Sequence, residues 1–189
     1  MGECLDTFFL SAEDSLLVVV DVQERLCSAM DQDALAHLVK QTGILIESAT
    51  ELGIPVAVTE QYVKGLGETL PALAEKLAEA PRHEKMSFSC CGCNEFMAQV
   101  AASGRRQIIL TGMETHVCVL QTALELRDAG FVVHLVSDAV ISRSANNRQT
   151  AMTAMQQAGV VMTCTESVLF QWLRVAGSEP FKKLSKLVR

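Results

Sequence analysis

The sequence is poor in aromatic residues, histidine and proline: one Trp, one Tyr, seven Phe, four His and four Pro occur in 189 residues. So few rings exclude an aromatic core, and the interior must be aliphatic. Long apolar runs are also missing; stretches such as Leu16–Val20 fall far short of the roughly 18 residues a membrane-spanning helix needs. Positive charge is in deficit, with 16 Lys and Arg against 22 Asp and Glu and a net charge of −6. The field of the chain therefore opposes the phosphate neutralisation that drives nucleic-acid binding. A soluble protein with neither a membrane nor a nucleic acid as partner is expected. The start, Met1-Gly2-Glu3-Cys4-Leu5-Asp6, has no cationic stretch ahead of an apolar one, and Asp6 stands where a myristoylation motif needs Ser or Thr. That predicts a cytoplasmic address.

What is present is ordinary for a globular chain, 49% apolar and 20% charged, which excludes a disordered or fibrous protein. The length suits one domain spanning 1–189, large enough to bury roughly 70% of its unfolded surface. Seven cysteines, at 4, 27, 90, 91, 93, 118 and 164, are an odd number in a chain with room for a proper core, so they read as thiols rather than a disulfide scaffold.

Leu16-Leu17-Val18-Val19-Val20 is the β-branched apolar run of a strand buried on both faces, and it ends at Asp21. Similar runs occur at Ile54–Val58, Gln107–Thr111, Phe131–Val136 and Gly159–Thr163, each with a glycine that can end a preceding helix. Between them, residues 34–52, 117–129 and 146–158 have near-helical apolar spacing, and 68–79 reads as a helix with Pro71 in its first turn. Buried strand followed by helix, repeated about five times, predicts an α/β fold: an open doubly wound parallel sheet in three α/β/α layers. A short strand around Lys85–Ser89 brings the count to about six.

In such sheets ligands sit beyond the carboxyl ends of the strands. That rule selects Asp21-Val22-Gln23, Thr59-Glu60-Gln61-Tyr62, Lys85, the stretch Thr111–Cys118, and Ser137-Asp138. An acid, a cation and a thiol share one edge. Cys118 falls in the first turn of a predicted helix, where free N–H groups and the dipole favour a thiolate, so its pKa is expected to fall, helped by Lys85. Asp21 is placed to take the thiol proton and return it to a leaving group. The bland alternative makes Cys118 a small buried hydrophobe, Asp21 a helix cap and Lys85 a solvated side chain.

The segments Val19-Val20-Asp21-Val22-Gln23, Glu84-Lys85-Met86-Ser87-Phe88-Ser89 and Thr111-Gly112-Met113-Glu114-Thr115-His116-Val117-Cys118-Val119 resemble, in that order, the isochorismatase-like cysteine hydrolases. Nicotinamidases and carbamoyl-amide hydrolases belong to that family. The resemblance covers about residues 14–175, leaving 176–189 as a C-terminal extension. Thr59–Gly67 and Phe181–Leu187 are similar to the YcaC-type subgroup. The resemblance implies an Asp21–Lys85–Cys118 triad, a thioester on Cys118, and an oxyanion held by the backbone amides of Glu114 and Cys118 beside a cis peptide at Met113-Glu114. It also implies a small-molecule substrate and a homo-oligomer, a dimer or larger.

Nicotinamidases carry a metal cluster of an Asp and several histidines, whereas His83 is the only His between 38 and 115 here. No metal and no cofactor are therefore expected, and C–N hydrolysis of a small amide or carbamoyl compound is the favoured activity. Gln23, Gln61, Tyr62 and Phe88 are candidates for lining the pocket. Cys90-Cys91-Gly92-Cys93 contains a C-x-x-C that reads as a redox pair or half a zinc site, though no second pair follows. His116 and Cys118 form an H-x-C without further ligands nearby, and His134 in an apolar strand reads as a hydrogen-bonded core residue. The tail lysines read as a solvated face or a subunit contact. Two other classes remain at this stage. One is a thiol redox sensor in which Cys93 or another thiol resolves oxidised Cys118. The other is a ribonuclease, a label some relatives of the subgroup carry.

Overall fold

In a computed structural model, residues 7–189 are described. The expectations about a targeting signal, and Cys4, fall on residues 1–6 and lie outside the described residues. Six strands form one sheet: β1 (Ser15–Val20), β2 (Val56–Gln61), β3 (Arg82–Lys85), β4 (Gln107–Met113), β5 (Val132–Ile141) and β6 (Val161–Thr163). Their order is β3-β2-β1-β4-β5-β6, and every neighbouring pair is parallel. Parallel neighbours require crossovers, and the longer helices supply them. These are α1 (Gln32–Glu51), α2 (Asn94–Ser103), α3 (Leu120–Asp128), α4 (Ala145–Gln157) and α5 (Thr165–Leu173), followed by α6 (Glu179–Leu184).

Strand alternation sorts the core into two layers. Leu17 and Val19 of β1 face Leu38 and Leu45 of α1 and Val168 and Trp172 of α5. Leu16, Val18 and Val20 face Phe96 of α2, Ala123 and Leu126 of α3, and Ala151 and Met155 of α4. The fold is thus a three-layer, doubly wound α/β/α sheet. All six residues of β1 are buried, and each such Leu or Val contributes about 1.5–3 kcal/mol on leaving water. The chain runs outward from β1 through β2 to β3, then returns to start β4 on the other side of β1. That reversal puts the switch point between β1 and β4, where such sheets open a crevice.

Several boundaries differ from the sequence reading. The strand sought at Lys85–Ser89 lies at Arg82–Lys85, so Lys85 closes it. β5 runs on to Ile141 and advances from Leu135 to Val140 while β4 advances only from Leu110 to Gly112. This bulge keeps Ser137 and Asp138 inside the strand. Asp138 accepts from Thr165 N at 2.9 Å and Thr165 Oγ1 at 3.0 Å, which caps α5 rather than facing the crevice. The helix sought at 68–79 is one turn, Pro71–Ala74; beyond it Leu77 N divides its bond between Leu73 O and Ala74 O. No described helix is long and apolar enough to cross a membrane.

Candidate active site

Three strand ends supply the polar centre. Directly after β1, Asp21 turns into the left-handed region with φ 51°, a conformation that Asp tolerates better than most side chains. Its N–H still donates to Thr59 O of β2 at 3.1 Å, so the turn stays tied to the sheet. Lys85, the last residue of β3, reaches back across β2 and donates from Nζ to Asp21 Oδ2 at 2.7 Å. Both side chains are fully buried, an arrangement that a charge tolerates only when paired and hydrogen-bonded. Lys85 meets that condition: Nζ also lies 2.8 Å from Gln61 Oε1, 3.0 Å from Phe88 O and 3.3 Å from Ser87 O. Burial alone would lower its pKa, but the negative charge of Asp21 leaves it raised, so the ammonium is retained.

The thiol arrives from the end of β4. Gly112 lies beside Val20 with φ 111°, and a Cβ there would sit 2.0 Å from Val20 O, so only glycine lets β1 and β4 approach this closely. The Met113-Glu114 peptide that follows is cis. The chain then makes a π-type turn over Thr115–Val119 before α3 begins. Cys118 lies in this turn, buried, close enough to Asp21 and Lys85 for both charges to act on its thiol. Three bonds hold the turn against the β5–α4 loop. Glu114 Oε2 accepts from Arg143 N at 3.0 Å and Arg143 Nε at 3.1 Å, and His116 Nδ1 lies 2.9 Å from Ser142 Oγ.

The expected fall in the Cys118 pKa is corrected. Burial first, and then the negative charge of Asp21, push the thiol well above its ordinary value; Lys85 pulls it back only in part. The helix-start argument fails because Cys118 sits in a buried π-type turn, with α3 beginning only at Leu120. The resting group is a neutral thiol beside a carboxylate acceptor.

Two pocket-lining expectations are also corrected. Gln23 is completely buried; its Nε2 donates to Gln61 O at 3.0 Å and Gly67 O at 2.6 Å, while Oε1 accepts from Gln61 N at 2.7 Å. It braces the loop after β2 and has no free polar atom for a ligand. Gln61 is occupied as well, accepting from Lys85 and donating to Met86 O at 2.9 Å. Tyr62 and Phe88 are substantially exposed next to Lys85, with Tyr62 N donating to Lys85 O at 3.0 Å. Thr59 falls in the stretch the strand-end rule selected but was given no role; its Oγ1 donates to Asp21 Oδ1 at 2.7 Å. What sets it apart within that stretch is alternation: Thr59 and Gln61 share one face of β2, while Glu60 turns away to accept from Thr69.

The C-x-x-C thiols have separate partners. Cys90 Sγ lies 3.5 Å from Thr59 Oγ1, whereas Cys93 Sγ lies 3.8 Å from Glu84 O and 3.4 Å from Glu95 Oε2, and both cysteines are free. Among the described residues no three His, Cys, Asp or Glu side chains converge as a metal-holding group. His134 is buried in β5, its Nε2 3.1 Å from Thr7 O. In the tail, Lys182 pairs with Glu179, and Lys183 ties α6 to Glu51 of α1.

A family model for the isochorismatase domain matches residues 15–167. The chain is 39% identical over 184 residues to the secreted isochorismatase effector Isc1 of Phytophthora sojae, covering 95% of this chain and 87% of that protein. Among solved structures it is similar to the MAR1 ribonuclease of Caenorhabditis elegans, with a TM-score of 0.89, 37% identity, and 95% and 92% of the two chains covered. It is also similar to the YcaC gene product of Escherichia coli, described as an octameric hydrolase of unknown specificity. There the TM-score is 0.85, the identity 25%, and the coverage 95% and 90%.

Proposed function

The chain belongs to the isochorismatase family, and from that premise we propose a cysteine-dependent hydrolase that cleaves a C–N bond in a small amide or carbamoyl compound. The observation that carries this reading is the buried Lys85–Asp21 pair with the buried Cys118 thiol close enough to feel both charges. A neutral thiol beside an ionised acid is the resting state of a nucleophile activated by its own base. Cys118 Sγ attacks the substrate carbonyl carbon while its proton passes to Asp21. The oxyanion that forms accepts hydrogen bonds from the backbone amides of Glu114 and Cys118. When the tetrahedral intermediate collapses, the C–N bond breaks, and the departing amine takes the proton from Asp21. Water, deprotonated by Asp21, then attacks the thioester; the acid product leaves and the proton returns to sulfur.

Lys85 does not touch the substrate in this scheme. Its ammonium is surrounded by four protein oxygens, so its part is to hold Asp21 ionised and oriented. Tyr62 and Phe88 form the exposed apolar rim and are proposed to contact the substrate's non-reacting end. A homo-oligomer belongs to the same proposal, supported by the octameric relative. The test combines ammonia release from a panel of aliphatic and aromatic amides, ureas and hydroxamates with intact mass for an adduct on Cys118. Turnover and adduct formation are expected for the native protein and lost in Asp21→Asn. An Asp21→Asn variant that turns over normally would defeat the mechanism.

One relative supports a second reading, since the 37% identical protein of Caenorhabditis elegans is named a ribonuclease. The net charge of −6 weighs against it. Cleavage of labelled RNA that disappears in Cys118→Ala would favour it over amide hydrolysis.

A further inference from the structure

Around Asp21 the direction of each hydrogen bond is fixed by chemistry. An ionised carboxylate only accepts, so Thr59 Oγ1, 2.7 Å from Oδ1, gives its single proton there. The second contact of that hydroxyl, Cys90 Sγ at 3.5 Å, must then run the other way, with the thiol donating to Thr59 Oγ1. Cys90 has a proton to give. Its thiol is fully buried, and burial followed by the charge of Asp21 pushes its pKa up to about 12. Its own position is fixed by its backbone N–H, which donates to Thr122 Oγ1 at 2.9 Å, one helical turn beyond Cys118.

The result is a one-way chain, Cys90 to Thr59 to Asp21 Oδ1, facing Lys85 on Oδ2. Thr59 is 0% exposed, so water has no ready access to take the place of its hydroxyl. Without that donor, the carboxylate is free to turn about its Cβ–Cγ bond and share the ammonium between both oxygens. The acceptor lone pair would then move away from the Cys118 proton.

We infer that Thr59 is a positioning residue for the proton transfer from Cys118, with its hydroxyl locking the Asp21 carboxylate and the Cys90 thiol locking the hydroxyl. This rests on the proposed role of Asp21 as the base that accepts the thiol proton. A hydroxyl that merely helped hold β1 to β2 would affect stability but not the pH dependence of Cys118 reactivity.

The test is alkylation of Cys118 by iodoacetamide, followed at the peptide level by mass spectrometry between about pH 5 and 9. The proteins are the native chain, Thr59→Val, Thr59→Ser, Cys90→Ala and Asp21→Asn. Thr59→Val is expected to slow alkylation about tenfold near neutral pH, the worth of one buried hydrogen bond to a charged group. It should also change the shape of the pH profile, because the base no longer keeps its lone pair on the thiol. Thr59→Ser should restore both, and Cys90→Ala should give a smaller loss of about twofold to threefold. If Thr59→Val does not fold, Thr59→Ala takes its place with the same readouts. A Thr59→Val profile that overlays the native one, while Asp21→Asn loses reactivity, overturns the inference and leaves the proposed function standing. If instead Asp21→Asn alkylates like the native chain, it is the base role of Asp21 that fails.

Discussion

The buried Lys85–Asp21 pair and His134 show how the same burial acts differently on different groups. Lys85 and Asp21 compensate each other, so either left alone would be a buried charge without a partner, a situation that costs about 3–5 kcal/mol. His134 has no such partner among the described residues. Burial pushes its pKa down from 6.5 to about 4, and the bond to Thr7 O only partly opposes this. Between those values the unfolded chain binds a proton that the folded chain refuses, so stability rises with pH in this window and is lost on acidification through it. The difference corresponds to about 3 kcal/mol. Thermal unfolding of the native chain and of His134→Asn at a series of pH values should show the native chain losing more stability from about pH 6.5 to 4. Parallel curves would mean that His134 is not held neutral. At this scale the sequence was most readable at Asp21, where an acid directly follows a buried apolar run; Lys85 was picked out beside a short strand that the structure ends, rather than begins, at that residue. It was unreadable where a role depends on what burial does to a thiol, or on which face of β2 carries Thr59 and Gln61.

Among the elements, the strands were more legible than the helices. Apolar β-branched runs mark a parallel strand whatever its neighbours, whereas helices were sought through apolar spacing, which fixes a helix's ends less sharply than a capping residue does. Asp31 and Ser144 provide such caps for α1 and α4, and both helices were located. The sequence reading did not delimit α2 or α5. Their cap positions are Cys93 and Cys164, with no side-chain cap bond, and α5 takes its cap from Asp138 on a distant strand. The bulge in β5 likewise has no local signature, because it arises in pairing with β4. Gly112 is the element-scale feature with the sharpest consequence. Gly112→Ala combines a φ of 111° with a Cβ 2.0 Å from Val20 O, so β1 and β4 would have to separate just below Asp21 and Cys118. Chemical denaturation should show a loss on the order of 3 kcal/mol, with Cys118 alkylation altered at the same time. Native stability in that variant would show that the two strands have room to spare.

The whole molecule was the most legible level, since repeated strand and helix with no length to spare leaves few topologies besides a doubly wound sheet. Its single Trp offers a test of the proposed one-domain organisation. Trp172 of α5 is buried and donates from Nε1 to Ser15 Oγ of β1 at 2.9 Å, so it joins the last long helix to the first strand. Fluorescence of Trp172 and far-ultraviolet circular dichroism should therefore report one coincident unfolding transition. Separate midpoints would divide the chain into independent parts. The crowding of oxygens around the Lys85 ammonium has a use beyond the chemistry of the crevice. Every other lysine is exposed, so an amine-selective acylating reagent would label the chain everywhere but there. Acyl groups appearing on Lys85 would time the moment at which the sheet's central crevice opens, a clock already built into the polypeptide.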